Sequence, residues 1–464
     1  MTTQEIKSPR GNGPFKVVIV GGSIAGLTLA HCLDRAGIDY VILERRKDVA
    51  PQEGASIGIM PNGARILEQL GLYSELEAAV HPLETAHITY PDGFCYQSYF
   101  PTLISERFGF PLAFLDRQKV LEHLSGSLAD ASRLHCSKTV HRVEQRENNI
   151  RVHTTDGAYF DGDLVVGADG VHSTIRTEML RLAEKRKTLA QSLSSITVEY
   201  GCIFGISKPH PNLKAGQQIS CYNDGWSILS VIGKNGHIYW FLFFRLDQRY
   251  SYSDAPRFSS SEGAKQCETF ASEPYWQQIT FGEVWERRET FNTTVLDEYV
   301  LSRWHWGRIV CLGDSVHKIA PHTGQGANCA MEDAAALCNI LQPFAKSGPP
   351  SQVHLDGLLR AFVSDRRRRM EQIANISRIS MRIQAREGLV KLIVGRYIFP
   401  YAGDIPANKA SHGIADAPML AFLPAPQRSG TGWNEFGSKT NGRKGILITV
   451  LMLVFGVLLC LKIR

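Results

Sequence analysis

The sequence predicts an α/β fold: a parallel-sheet domain built from crossovers and interleaved with an antiparallel sheet, then C-terminal helices and a terminal transmembrane helix. Three observations carry this expectation. A short β-branched run at Phe15–Val20 passes through a glycine turn into a helical pattern and a second apolar run. Between Ser195 and Arg245 the chain alternates around the turn signal Asn235-Gly236, as antiparallel strands do. The stretch Ile446–Leu461 reads ILITVLMLVFGVLLCL, without a charge.

Taken in order, residues 1–14 are polar and contain Gly and Pro, with no apolar core of the kind a signal peptide needs. They are expected to be a disordered tail. The run FKVVIV at Phe15–Val20 is a buried parallel strand, Gly21–Gly26 a turn, and Leu27–Gly37 a helix. Asp39–Leu43 is a second strand, ended by Glu44. This strand–turn–helix–strand unit has the layout of a Rossmann-like βαβ crossover. Further strands are expected at Ile150–Thr154, Leu164–Gly167 and Arg308–Leu312, and a hairpin at Ile228–Ile232 and His237–Phe244. A long Arg-rich helical pattern runs from Gly357 to Tyr397, and Ala402–Lys444 is Pro/Gly-rich and poorly periodic, as a linker is.

The 464 residues are 44% hydrophobic and 21% charged, ordinary for folded domains, and a net charge of +6 does not argue for nucleic acid. The ten cysteines include no CxxC pair and no zinc spacing, so they read as reduced thiols, with neither a disulfide framework nor a metal site. Residues 445–463, about 19 at ~1.5 Å each, would span ~28 Å, close to a thin bilayer. Twelve of the sixteen positions Ile446–Leu461 are Leu, Ile, Val or Phe. The alternative is a buried core helix, but the segment is apolar on every face. The expectation is a single-pass C-terminal membrane anchor, with the catalytic part cytosolic at the endoplasmic reticulum.

The first turn reads Gly21-Gly22-Ser23-Ile24-Ala25-Gly26. A phosphate-cradling turn needs a first glycine for the bend and a last one for close helix–strand packing, roles that Gly21 and Gly26 fit. Ser23 stands where a middle glycine would let backbone approach a pyrophosphate. The helix that follows aims its first amides at that phosphate, and Glu44 is placed to accept from ribose hydroxyls. A dinucleotide is therefore the expected ligand.

Two further segments sharpen the reading. Gly167-Ala168-Asp169-Gly170 follows an apolar strand, and Gly313-Asp314-Ser315 leads through Pro321 to Gly324-Gln325-Gly326-Ala327-Asn328 and Glu332-Asp333. With these motifs, in this order over Phe15 to about Leu341, the chain resembles group A flavin monooxygenases of the para-hydroxybenzoate hydroxylase type. That resemblance implies FAD as cofactor, with Gly21, Gly22, Gly26 and Glu44 on its ADP half and Asp314 on the ribityl hydroxyls. It also implies that Gly326, Ala327 and Asn328 offer backbone amides to the isoalloxazine. Arg117 and Gly58 match positions that meet or pass close to FAD, and Asp169 a position near FAD and NADPH. Other readings stand beside these: Asp169 as a cap of the following turn, Arg117 as a surface ion pair. His317 and His322 lack a metal partner at suitable spacing, and Arg366–Arg369 is either a solvated helix face or a contact for anionic lipid.

The resemblance divides the chain into an FAD-binding domain over 15–188, with a sheet insertion near 84–112, and a substrate-domain sheet over 189–299. The FAD-binding domain resumes over 300–345, followed by C-terminal helices over 346–400, a linker over 401–444 and the anchor. It implies that transiently bound NADPH reduces FAD, and that oxygen then reacts through a flavin C4a-hydroperoxide. Tyr222, in SCYNDGWSIL, lies where related enzymes place a tyrosine facing the flavin; the alternative is plain core packing. VIVGGSIAGL, GKNGHIYWF and WHWGRIVCLGDSVHKIAPHTGQGANCAMEDAAAL are most similar to membrane-associated fungal epoxidases of indole-diterpene and meroterpenoid pathways. They imply epoxidation of a hydrophobic, prenylated small molecule. An aromatic hydroxylase of the same fold and a membrane-tethered flavin reductase of prenyl double bonds are the alternatives.

Overall fold

The computed structural model describes residues 14–53, 56–183 and 196–437. A six-stranded sheet forms its centre, in the order His305–Trp306, Ile309–Cys311, Leu164–Gly167, Lys16–Val20, Asp39–Leu43, Leu134–His135. Every pairing is parallel except that of His305–Trp306. The strand Lys16–Val20 is central, and Val17–Val20 are all buried, which explains why it reads as a continuous apolar run without alternation. The helices Ile24–Ala36 and Gly326–Leu341 pack on each other. Cys338 Sγ donates to the Cys32 carbonyl at 3.2 Å between them.

A seven-stranded mixed sheet lies beside this domain, ordered Arg288–Asp297, Thr197–Ser207, Ile238–Ser251, Trp226–Ile232, Gln217–Tyr222, Thr85–Thr89, Cys95–Ser98. Its last two strands come from the early insertion, and Thr85–Thr89 joins Gln217–Tyr222 in parallel. The expected hairpin is present: Ile232 pairs with Ile238 across a five-residue loop in which Asn235 and Gly236 take φ of 60° and 79°, the left-handed region that asparagine and glycine tolerate best. One face of the sheet is closed by helices Ser260–Thr269 and Phe281–Glu286, where Trp240 meets Phe281 and Trp285 edge-on. The other carries Leu229, Phe243, Phe204 and Phe241 and packs with Ala320 and with Met381 of the 33-residue helix Gln352–Gln384.

Two expectations about the C-terminal part are corrected. The stretch expected to be a linker is packed over residues 402–437 against the helices Pro61–Leu70, Tyr73–Ala79 and Phe100–Phe108. It contains the helix Ile405–Ala415, buries Leu420, stacks Trp433 edge-on against Phe108, and pairs Arg428 with Glu68 and Glu77. Proline and glycine there shape a packed strap, and spacing of apolar residues too irregular for one helix still fills a groove. The transmembrane helix and the membrane-anchored localisation that follows from it are not supported. No helix among the described residues is long and apolar enough to cross a membrane, and residues 445–463 lie outside them. Residues 1–13 also lie outside.

Candidate functional site

The first glycine turn is built as a phosphate cradle. Gly21 has φ of 108°, and a Cβ there would come within 2.3 Å of the Ala168 carbonyl oxygen. A Cβ on Gly26 would lie 1.9 Å from the Gly21 carbonyl oxygen, so helix and turn touch only because neither residue has a side chain. Gly22 donates its amide to Glu44 Oε2 at 2.7 Å, and Arg46 donates its own to Oε1 at 2.9 Å. Glu44, 8% exposed, thus fixes the turn and keeps lone pairs to accept from hydroxyls.

Ser23 explains the departure from an all-glycine turn. It starts the helix Ile24–Ala36 without capping it; its Oγ instead accepts from Arg117 Nη2 at 2.8 Å. The first amides of that helix are left for another acceptor. Arg117 Nη1 donates to Glu53 at 2.9 Å. Burial lowers the guanidinium's pKa from its usual value, against the opposing pull of Glu53, and Asp314 and Glu44 lie within its field. Arg117 therefore links three segments and is no isolated surface pair.

Asp314 sits on the short turn Gly313–Ser315, where Tyr299 Oη donates to its carbonyl at 2.6 Å. Its side chain is open to solvent, yet protein on every side pushes its carboxyl up, with Lys318 and His317 pulling the other way. The carboxylate has no hydrogen bond among the described residues, as expected of a group reserved for ligand hydroxyls.

The third segment enters through Gly324, φ 62°, where a Cβ would strike Met60 Cε at 2.3 Å. The helix Gly326–Leu341 begins without a side-chain cap, leaving the amides of Gly326, Ala327 and Asn328 outside its internal bonding. Nothing lies within 4 Å of a Cβ placed on Gly326. The Asn328 side chain is buried: Oδ1 accepts from Met60 N at 3.0 Å, and Nδ2 donates to the carbonyls of Gly58 at 2.8 Å and Gly324 at 2.7 Å. Gly58 and the glutamine–glycine turn are thereby tied together. An uncapped helix start beside an open carboxylate, and a second across a glycine turn, fit a flavin dinucleotide in extended form.

Behind this wall lies a buried ion network. Asp333 Oδ2 accepts from Gly313 N at 2.9 Å and lies 2.6 Å from His317 Nε2, while Oδ1 accepts from Arg366 Nε at 2.7 Å. Burial opposes the charge on Asp333, but His317 and Arg366 hold its carboxyl at about 2. Glu332 accepts from Arg366, from Arg369 at 2.6 and 2.7 Å, and from Asn62 at 2.7 Å. Arg366 and Arg369 thus point inward, while Arg367 and Arg368 face out. The run is neither wholly a solvated face nor a lipid contact. The signal was the spacing of three, matched against two adjacent acids in an otherwise apolar helix.

Asp169 takes the capping reading: Ser173 Oγ donates to Oδ1 at 2.5 Å and Ile175 N to Oδ2 at 3.0 Å, at the start of helix Thr174–Leu182. Burial raises its carboxyl. Arg176 then bridges the segment to the next, donating to Ser315 O at 2.7 Å and Val171 O at 2.8 Å. Tyr222 packs edge-on with Tyr90 at 5.4 Å and clusters with Phe94 and Tyr96; burial raises its phenol well above the usual value. Among the described contacts it meets this aromatic group and none of the other expected site residues.

The profile of the FAD binding domain family matches residues 14–377. The chain is 49% identical to the FAD-dependent monooxygenase cdmI of Talaromyces verruculosus over 456 residues, 97% of this chain and 95% of that one. It is 51% identical to the FAD-dependent monooxygenase pyr5 of Aspergillus fumigatus over 433 residues, 91% and 93% of the two chains. It is 47% identical to the FAD-dependent monooxygenase paxM of Penicillium paxilli over 449 residues, 95% and 94%. Among solved structures, Klebsiella pneumoniae HpxO complexed with FAD and uric acid superposes with a TM-score of 0.72 at 22% identity, covering 87% of this chain and 97% of that one. The 2,6-dihydroxypyridine-3-hydroxylase of Arthrobacter nicotinovorans gives 0.64 at 18%, covering 81% and 95%. At those identities the structures speak for the fold alone.

Proposed function

The chain belongs to the FAD binding domain family and is an FAD-dependent monooxygenase, and on that premise we propose that it epoxidises a prenyl-type alkene in terpenoid or meroterpenoid secondary metabolism, using NADPH as transient reductant. The observation that carries this reading is the surface opposite the flavin turn. Leu229, Phe204, Phe241 and Phe243 form an apolar sheet face against Ala320, just ahead of Gly324–Asn328. Phe204 and Phe241 are only partly buried at mid-sheet, which leaves apolar surface for a guest to cover. An isoprenoid chain gains ~25 cal/mol for each Å² of apolar surface it hides there.

FAD bound in the groove supplies the electron storage and oxygen activation that side chains lack. The chain's own residues hold and surround it. Glu44 accepts from ribose hydroxyls, Asp314 from the ribityl chain, and the first amides of Ile24–Ala36 meet the diphosphate. Gly326, Ala327 and Asn328 direct amides at the ring, where a helix N-terminus favours negative charge. The aromatic face excludes water from the reacting atoms.

Hydroxylation of a phenol benefits from a base that removes the phenolic proton. The imidazole nearest the apolar face, His322, is driven down to about 3 by burial, too weak a base for that task at neutral pH. This favours the alkene over the aromatic ring. The test offers FAD-loaded chain farnesylated and geranylgeranylated aromatics with NADPH and isotopically heavy oxygen. Loss of one double bond with gain of one heavy oxygen atom is expected. Hydroxylation of simple phenols with the prenylated compounds untouched would sink the proposal, and alkene reduction without oxygen uptake would replace it with the reductase.

A further inference from the structure

Strand registers lay one row of side chains across the seven-stranded sheet. Phe204 pairs with Phe241, Phe241 with Leu229, Leu229 with Ser220, Ser220 with Ile88, and Ile88 with Tyr96. Directly paired residues point to the same face, so the row starts on the apolar face beside Ala320 and ends on the edge strand Cys95–Ser98. In the next row of that face, Gln218 stands between Val231 and Ala86. Two polar residues of one inner strand, Gln218 and Ser220, are thus flanked by Val231, Leu229, Ala86 and Ile88.

Those four neighbours belong to three separate apolar clusters: Val231 to one with Met60, Leu229 to one with Ala320, and Ala86 and Ile88 to one with Tyr90. The polar pair sits at their seam. Gln218 Nε2 donates to Ser220 Oγ at 3.2 Å, and Ser220 is buried while Gln218 is half-buried. Gln218 Oε1 has no hydrogen-bond partner among the described residues, and it is open to solvent, being absent from the sealed orphan atoms. An apolar side chain at 218 would close the seam without desolvating an amide, and a break of this kind in the pattern of a strand marks function more often than stability. At ~4.8 Å between strands, Gln218 stands about 10 Å across the sheet from Phe241. A guest whose hydrocarbon chain lies on Leu229, Phe241 and Phe204 can set its other end at Gln218.

We propose that Gln218 binds the polar head of the substrate, its Oε1 accepting from an aromatic O–H or N–H while Ser220 holds the amide, and so fixes how far the apolar chain extends towards Gly324–Asn328. This rests on the reading of the substrate as a prenylated aromatic. Gln218 is a specificity residue that selects and orients; it takes no proton in the reaction.

The test uses full-length, FAD-loaded chain and two variants: Gln218→Leu, which keeps most of the bulk without an acceptor, and Gln218→Glu, which keeps an acceptor. A farnesylated phenol and its methyl ether are titrated by their perturbation of the flavin absorption band. Products formed from the phenol with NADPH and oxygen are then identified. The Q218L substitution is expected to weaken binding of the phenol about tenfold, equivalent to about 1.4 kcal/mol. The methyl ether, which has no proton to donate, should bind native chain and Q218L alike, and Q218E should recover most of the phenol's loss. FAD content and the probe-free spectrum should match the native chain in both variants. Unchanged phenol binding in Q218L, equal losses for phenol and ether, or an altered spectrum before any probe is added would each overturn the proposal, the last by assigning Gln218 to the flavin. Failure of the native chain to bind either probe would overturn it as well. Ring hydroxylation in place of an epoxide would refute the alkene reading, while the titrations would still decide Gln218.

Discussion

The Asn328 side-chain amide donates to the carbonyl of Gly58 at 2.8 Å, across 270 positions of sequence. This bond and its two companions, to Met60 and Gly324, hold the strand Ser56–Ile59 against the start of the helix Gly326–Leu341, whose first amides are proposed to face the flavin.

Removing that clamp with Asn328→Ala leaves one amide and two carbonyls short of partners in a buried site. Each unmet group costs ~1–3 kcal/mol, so a stability loss of roughly 3 kcal/mol is expected after local relaxation. Thermal unfolding of the FAD-loaded and stripped protein measures it. The gap between the two melting temperatures should also shrink, because the flavin site loosens along with the fold. A native-like melting curve would show that the clamp is dispensable.

The Arg366–Asp333 pair sets an acid limit. Asp333 is held at about 2 in the folded chain, below the unfolded carboxylate value of ~3.9. Its contribution is therefore complete above the unfolded value and is lost as the pH falls through that range towards about 2. Arg366→Met removes the partner of two buried acids and should cost roughly 3–5 kcal/mol, and the acid unfolding midpoint should move to higher pH. A pH series of urea unfolding curves reads both effects; an unmoved acid midpoint would contradict the role given to Arg366.

Two glycines make opposite predictions. Gly26→Ala places a methyl 1.9 Å from the Gly21 carbonyl oxygen, so the purified variant should lack the yellow colour of bound flavin or fail to fold. Gly326→Ala meets nothing within 4 Å, so its melting temperature without FAD should stay native-like. Any change it causes belongs to the cofactor, and comparing FAD titrations with melting curves separates the two.

Arg117→Lys should weaken FAD retention about tenfold, or about 1.4 kcal/mol. A lysine cannot span Ser23 Oγ and Glu53 together as the guanidinium fork does. Equilibrium dialysis of FAD checks this, and full retention in the lysine variant would return Arg117 to the status of an ordinary ion pair.

The parts of the site that could be read from sequence are those where local chemistry restricts the residue type. The turn at Gly21 and Gly26 tolerates no side chain, and Glu44 follows its strand where the amides of Gly22 and Arg46 reach it. Partnerships across the fold were harder to read. The run Arg366–Arg369 looks uniform until helical spacing separates inward from outward members, and only the fold brings Glu332 and Asp333 opposite them. Ser23 looks like a defect in a glycine motif until Arg117 is seen to rest on it. Asp169 carries a partnership the motif does not announce, accepting from Ser173 Oγ and Ile175 N at the start of the next helix. The strap over residues 402–437 has no signature in sequence, because its apolar residues Leu420 and Trp433 pack singly and follow no helical repeat.

The interleaved order of the central strands also sets a schedule for synthesis. Leu164–Gly167 gains its outer neighbour, Ile309–Cys311, only after roughly 140 further residues have been made, about 7–30 s at ~5–20 residues per second. Throughout that interval one sheet edge is bare, open to mispairing or to a chaperone. Asp314 emerges just behind the closing strand and the amides of Gly326–Asn328 a dozen residues later, so on the proposed binding mode no nascent chain can hold the whole cofactor before about 70% of it has been made. A cell short of FAD would then accumulate finished chains with a loose groove, and flavin supply would govern how many of them survive.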